Sequence, residues 1–219
     1  MVASIDLKEF LLALAEFLVG YVQEDNEVEQ KLAGFRIWLD EGHGGKDSGA
    51  VGHDGTREHD LNMWHSNLLE PELVKLGAEV FRTQRVSRDI EPSERIRNIN
   101  DEHKRKPLDL CVSIHHNAFG DPQPNGITTY HHGTRQGIDK RWAEIFHVHL
   151  VAKTGANDRG VKTGNFYMVR DILSPAILLE LGFMTNPVEL ERMKTQEYRD
   201  KLVKACVEAI IAGRDLSKE

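Results

Sequence analysis

"LDLCVSIHHN", Leu108 to Asn117, decides how the rest of the chain is read. Leu110, Val112 and Ile114 are apolar, and Cys111 and Ser113 between them are small enough to be covered. The run therefore reads as a strand buried on both faces. Such a strand belongs to a sheet covered by helices, and an open α/β sheet places its ligands beyond the carboxyl ends of its strands. Two adjacent histidines, His115 and His116, stand at that end. A histidine there is a cap, a surface residue or a ligand, and the choice depends on what else converges on the same place.

Outward from this strand, apolar runs alternate with helical patterns. "FRIWLD" (35–40) reads as a strand, followed by the glycine-rich loop "EGHGGKDSGAVGHDGT" (41–56). A helix over 58–76 carries Leu61, Trp64, Leu68, Leu69, Leu73 and Leu76 at helical spacing, with Pro71 inside it as a candidate kink. "AEVFRT" (78–83) predicts a second strand, and "PSERIRNIND" (92–101) opens a helix. Beyond the central strand, "GITTYHH" (126–132), "FYMVR" (166–170) and "AILLELGF" (176–183) read as strands. "DKRWAEIFHVHLVAKTG", "PVELERMKT" and "YRDKLVKACVEAIIAGRDL" read as helices. This alternation predicts an α/β fold with a twisted, mostly parallel sheet and helices on both faces.

The 219 residues suit one large domain with an appendage. The charged stretch 24–31 and Gly34 divide the chain into an N-terminal helical appendage, 1–34, and a main domain, 35–219. "EFLLALAEFLVGYV" (9–22) carries Glu16 in its middle, is short for a membrane span, and follows Asp6 rather than a basic segment. It is read as an amphipathic or buried helix, neither a span nor an export signal. Its apolar face is expected to pack on the main domain or to mediate self-association. A net charge of −7 argues against a protein whose affinity rests on nucleic-acid phosphates. Cys111 and Cys206 form no CxxC pair and read as buried thiols.

Four reactive side chains lie at strand ends or at the mouth of the glycine loop: His43, Glu58, His115 and Glu180. Two histidines and a carboxylate make a common first shell for catalytic zinc, with the fourth position left to water. A further carboxylate, Glu180, is then placed to shuttle a proton to a leaving group. Each has a bland alternative: a turn histidine in "GHGG", a dipole-favoured glutamate at a helix start, a surface or core histidine. Glu180, inside "ILLELGF", is the hardest to explain blandly, because an ionised carboxylate in a buried strand is costly unless it faces a polar site.

"IWLDEGHGGKDSGAVG", "REHDLN", "VSIHHNAF", "NGITTYHH", "DRGVKTGNFYMVR" and "PAILLELGFMTNPVEL" resemble, in order and spacing, the zinc-dependent N-acetylmuramoyl-L-alanine amidases of the Amidase_3 type. The resemblance covers about residues 35–213. It implies cleavage of the amide between N-acetylmuramic acid and the first L-alanine of the peptidoglycan stem peptide. It also implies His43, Glu58 and His115 as zinc ligands and Glu180 as the catalytic acid/base. His116 stands where relatives often carry a small residue and is kept as a neighbour lining the pocket. Glu41 replaces the usual proline of the glycine loop, a change expected to loosen it. "TQR" (83–85) and "EHD" (58–60) also depart from the usual pattern; His59, next to a ligand on a helix, should point elsewhere. His131, His132, His147 and His149 are read as strand-end or helix-surface residues.

The short, turn-rich span from Asn117 to Trp142 leaves no room for a long helical plug, so the site is expected to be open and active without an activator. Three routes to the cell wall suit a chain read without a signal peptide: a phage or prophage endolysin released through a holin or by host lysis, a lysin that frees a spore from its mother cell, or a secreted enzyme trimmed of its leader. The first is favoured. Two competing readings are another zinc peptidoglycan hydrolase, a peptidase or deacetylase, and a wall-binding module without catalysis.

Overall fold

The computed structural model of the protein describes residues 31–135 and 137–216. The segment 1–30, which holds the expected N-terminal helix, lies outside the described residues. Where the described chain begins, Leu32 is fully buried and its backbone N–H donates to the Leu76 carbonyl at 2.8 Å.

A six-stranded sheet forms the centre. Its strands are β1 (Arg36–Glu41), β2 (Glu79–Arg82), β3 (Leu110–Asn117), β4 (Ile127–His131), β5 (Asp158–Thr163) and β6 (Ala176–Phe183). Across the sheet they run β2-β1-β3-β6-β4-β5. All neighbours are parallel except β4 and β6, which are antiparallel. The helices are α1 (Glu58–Lys75), α2 (Pro92–Arg105), α3 (Ile138–Thr154), α4 (Tyr167–Arg170), α5 (Pro187–Lys194) and α6 (Gln196–Gly213). The mostly parallel sheet with helices on both faces agrees with the expected class.

The two faces are unequal. Ile37, Leu39, Val112, Ile114, Ile177 and Leu179 belong to the large core, which they share with residues of α1, α3 and α6. The opposite face carries a smaller cluster of Trp38, Cys111 and Ala176, packed with Ile99, Met168 and Ile172. Successive strand residues alternate between faces, so the register decides what sits beside what. Trp38, Cys111 and Ala176 form one row across β1, β3 and β6. Asp40, Ser113 and Leu178 form the next, and His115 and Glu180 the row after that. Two of the reactive residues are therefore neighbours on the thinly covered face.

Two expectations are corrected, and one strand is added. "FYMVR" is not a strand: Tyr167–Arg170 is a helical turn that buries Met168 and Val169. A run of five residues fits either period, and packing of Met168 into the small cluster decides it. The sheet position went to Asp158–Thr163, a segment assigned to no element from the sequence, which pairs with β4 as an edge strand. His147 is not on the helix surface. It is 5% exposed, with Nε2 2.8 Å from Asp158 and Nδ1 3.1 Å from Thr129 Oγ1, and so ties α3 to β4 and β5.

Candidate metal centre

The site is built from the end of β1, the start of α1 and the ends of β3 and β6. After Glu41 the chain turns sharply into the glycine loop. His43 adopts φ of 66°, the one non-glycine left-handed residue among those described. Such a conformation persists only where the surroundings enforce it, and three successive carbonyls show how. The carbonyls of Glu41 and His43 accept from Arg95, and both also accept from Gln84 Nε2, at 3.3 and 2.7 Å. The carbonyl between them, on Gly42, faces His59 Nδ1 at 3.2 Å and accepts from Asn62 Nδ2 at 3.1 Å. Arg95 is itself held by Asp40 at 3.1 Å.

Two glycines are required by close approach. A Cβ on Gly42 would lie 2.2 Å from His115 Cε1. A Cβ on Gly49, at φ of 64°, would lie 2.6 Å from both Glu58 Oε2 and His43 Cδ2. The loop thus leaves a cradle that the candidate ligand side chains fill.

Glu58 opens α1 with its carboxylate between the two rings: Oε1 is 3.0 Å from His115 Nδ1 and Oε2 is 3.2 Å from His43 Nε2. Backbone N–H groups of His116 and Ala50 donate to the same two oxygens at 3.1 and 3.0 Å. Burial by itself would raise the Glu58 pKa, but the two imidazoles more than reverse this and hold it below the usual carboxylate range. For His43, burial opposes the charge, yet Glu58 and Asp47 push its pKa up to about 9. Asp47 Oδ2 lies 2.8 Å from His43 Nδ1, fixing the ring so that Nε2 faces Glu58. His43, Glu58 and His115 offer ligand atoms that all lie within 4.8 Å of one another, a geometry able to hold a metal ion.

Glu180 stands across from His115 in the β3–β6 register, on the wall of a cavity of about 300 Å³ that the three candidate ligands also line. Burial raises its pKa to about 7, with His115 pulling the other way. Its Oε2 is buried without a hydrogen-bond partner among the described residues. A protein interior seldom leaves a carboxylate oxygen unmatched, and when it does the group is a candidate for chemistry. A cation beside it, and a substrate proton within reach, would satisfy it. Two imidazoles, a carboxylate and an orphaned acid make the donor set fit a divalent ion.

The structure therefore brings together all four residues singled out in the sequence. His116 lines the cavity, as expected, but its ring is 4% exposed and also bonds to Asn62 of α1. Asn62 Nδ2 donates to a carbonyl, so Asn62 Oδ1 must accept, and His116 donates to it from Nδ1 at 2.8 Å. Glu41 tightens the loop rather than loosening it. Its buried carboxylate pairs with Arg82 and accepts from the Gln84 N–H at 3.1 Å, and Gln84 in turn holds the loop carbonyls. Arg85, in the unusual "TQR", pairs with Glu70 away from the site. Asn62, Gln84 and Arg95 were not found from the sequence. Only Asn62 left a trace there, one helical turn after Glu58 on the same face of α1.

The class defined by these features is an α/β fold whose mostly parallel sheet gathers an imidazole–carboxylate–imidazole cluster able to hold a metal ion at its strand ends. The family signature of the N-acetylmuramoyl-L-alanine amidases, Amidase_3, matches residues 37–212, and the chain belongs to that family. It is 33% identical over 181 residues to N-acetylmuramoyl-L-alanine amidase LytC of Bacillus subtilis (strain 168), a match covering 82% of this chain and 36% of LytC. It is 32% identical over 185 residues to the protein YqiI of the same organism, covering 84% of this chain and 87% of YqiI. The chain thus matches about a third of LytC but most of YqiI. An N-acetylmuramoyl-L-alanine amidase from Clostridium difficile 630 has a similar solved structure, with a TM-score of 0.78 at 28% identity, covering 83% of this chain and 97% of that one.

Proposed function

We propose that this chain hydrolyses the amide between the lactyl group of N-acetylmuramic acid and the L-alanine of the peptidoglycan stem peptide, with zinc held by His43, Glu58 and His115. The observation that carries the reading is Glu180, which lines the cavity beside those three side chains while its Oε2 is buried without a hydrogen-bond partner among the described residues. Zinc bound there would supply Lewis-acid activation of water and of the amide carbonyl. The chain's own groups do the rest. Glu180, its pKa raised to about 7, takes the proton of the attacking water and returns it to the alanine nitrogen as the C–N bond breaks. Asp47 keeps the His43 ring oriented. The buried hydrogen bonds of Arg95, Gln84, His59 and Asn62 hold the loop, so the ligands are in place before substrate arrives.

Digestion of purified cell walls followed by mass spectrometry tests this. Stem peptides with free L-alanine amino termini are expected, together with their loss after chelation and recovery with zinc. Cuts within the stem, or release of acetate, would instead point to a peptidase or deacetylase. A Glu180→Ala variant that lyses walls as well as the parent would point to a binding module.

For its biological role, we favour a lysin that meets the wall after release from the cell interior. Expression with and without a co-expressed holin tests this, with lysis expected only in the first case. No helix among the described residues is long and apolar enough to cross a membrane. Self-association through the N-terminal segment is part of the same proposal. It predicts that deleting residues 1–33 lowers the oligomeric state in solution.

A further inference from the structure

We propose that Phe166 and Tyr167 form an aromatic platform for the glycan side of the substrate, stacking on the pyranose ring of the muramic acid. This deepens the amidase reading and rests on it. The two residues stand where the chain enters α4, and both line the cavity that contains Glu180. Phe166 is 40% exposed and Tyr167 37%, whereas the next two residues, Met168 and Val169, are buried. The helical turn is thus anchored by one pair and presents the other to solvent.

The platform is braced from behind. The Phe166 ring meets Tyr130 at 5.1 Å between centroids and 79° between planes, the edge-to-face contact aromatic pairs prefer. Gly164 makes room for it, since a Cβ there would lie 2.5 Å from Phe166 Cε2 and 3.1 Å from Tyr130 Cδ1. Tyr130 in turn sits opposite Leu178 in the β4–β6 register, two residues from Glu180. The exposed ring is therefore fixed relative to the orphaned acid by a rigid chain of contacts.

The chemistry of the lining chooses between the two sides of the scissile bond. Beyond the candidate ligands and Glu180, the wall includes Ala118, Met168 and Leu178 and, among the described residues, carries no lysine or arginine. A stem peptide brings carboxylates, which need cationic partners. A pyranose brings C–H faces, which suit an aromatic wall. Only the short lactyl ether separates the reacting carbonyl from the sugar ring, so a substrate whose carbonyl reaches Glu180 places that ring in the same cavity.

The test separates the two halves of the substrate. Metal-loaded protein is titrated calorimetrically with peptide-free glycan oligomers and, separately, with free stem peptide. Phe166→Leu keeps the apolar bulk without the ring and is expected to weaken glycan binding about five- to tenfold while leaving stem-peptide binding unchanged. Phe166→Trp is expected to retain glycan binding. Metal content and melting temperature, measured on each variant, show that the fold and the metal centre are intact. The proposal is overturned if the parent shows no measurable glycan binding, if Phe166→Leu changes nothing, or if the loss falls on the stem peptide alone or on both ligands equally. Because binding is read without turnover, failure of the parent to release stem peptides from walls would count against the amidase reading and not against the platform.

Discussion

Asn62→Leu is the substitution that most sharply separates support of the metal centre from ordinary core packing. Asn62 is fully buried and makes no contact with substrate space; it joins three segments that each carry a candidate ligand. It sits one turn after Glu58, donates to the carbonyl preceding His43, and accepts from the ring following His115. Leucine has a similar volume, so little cavity is created. The Gly42 carbonyl would still have His59 at 3.2 Å, but His116 Nδ1 would lose its acceptor. An orphaned buried donor costs about 1–3 kcal/mol, and the second lost bond about 1 kcal/mol. For a domain of this size, roughly 3 kcal/mol lowers the melting temperature by about 6–12 °C. If Asn62 also positions the ligands, metal affinity should fall about 10- to 100-fold, the range typical of outer partners of a metal site. Thermal melting of the metal-free protein reads the first quantity, and competition with a calibrated chelator reads the second. A variant that melts lower but binds metal as tightly as the parent would refute the positioning role and leave Asn62 a plain core residue. Asn62→Asp, which keeps the acceptor for His116 but loses the donor to Gly42, should fall between parent and Asn62→Leu in metal affinity.

The remaining predictions address the acid, the cradle and the pH dependence of folding. Glu180→Gln should lower kcat by about 10²- to 10⁴-fold while metal content, read by elemental analysis, stays at the parent's level. Gly42→Ala should displace the His115 ring, because the added methyl would occupy its position. Purification with substoichiometric metal is expected, and full metal loading of this variant would refute the close-approach argument. Asp139 is buried near Arg135, and burial raises its pKa to about 6 from an ordinary 3.8, against the pull of Arg135. The folded state therefore holds this proton more tightly than the unfolded state, so the group's contribution to stability declines as pH rises from about 4 to about 6. Asp139→Asn should flatten that decline, which urea midpoints at pH 4 and pH 7 would show as a relative gain for the variant at the higher pH.

Much of this protein can be read along the chain. Apolar runs of strand length alternating with helical spacings determined the α/β class, since burial on both faces of a parallel sheet leaves a continuous apolar signature. His43, Glu58, His115 and Glu180 were legible as candidates because strand ends and the mouths of glycine loops are where such a sheet gathers chemistry, and because a glutamate inside "ILLELGF" is costly to bury unless it faces a polar site. Local pattern fails where two conformations fit equally well. Phe166 to Arg170 reads as a strand until Met168 is seen to pack beside Trp38 and Ile172, and Asp158 to Thr163 carries no strand pattern of its own until β4 offers its edge. The support of the site was hidden for a different reason. Arg95, Gln84 and Asn62 act through hydrogen bonds to the carbonyls of residues 41 to 43, and a backbone carbonyl has no identity in the sequence. Which side chain reaches it depends on strand register and helix placement, and those are settled only when the whole core closes.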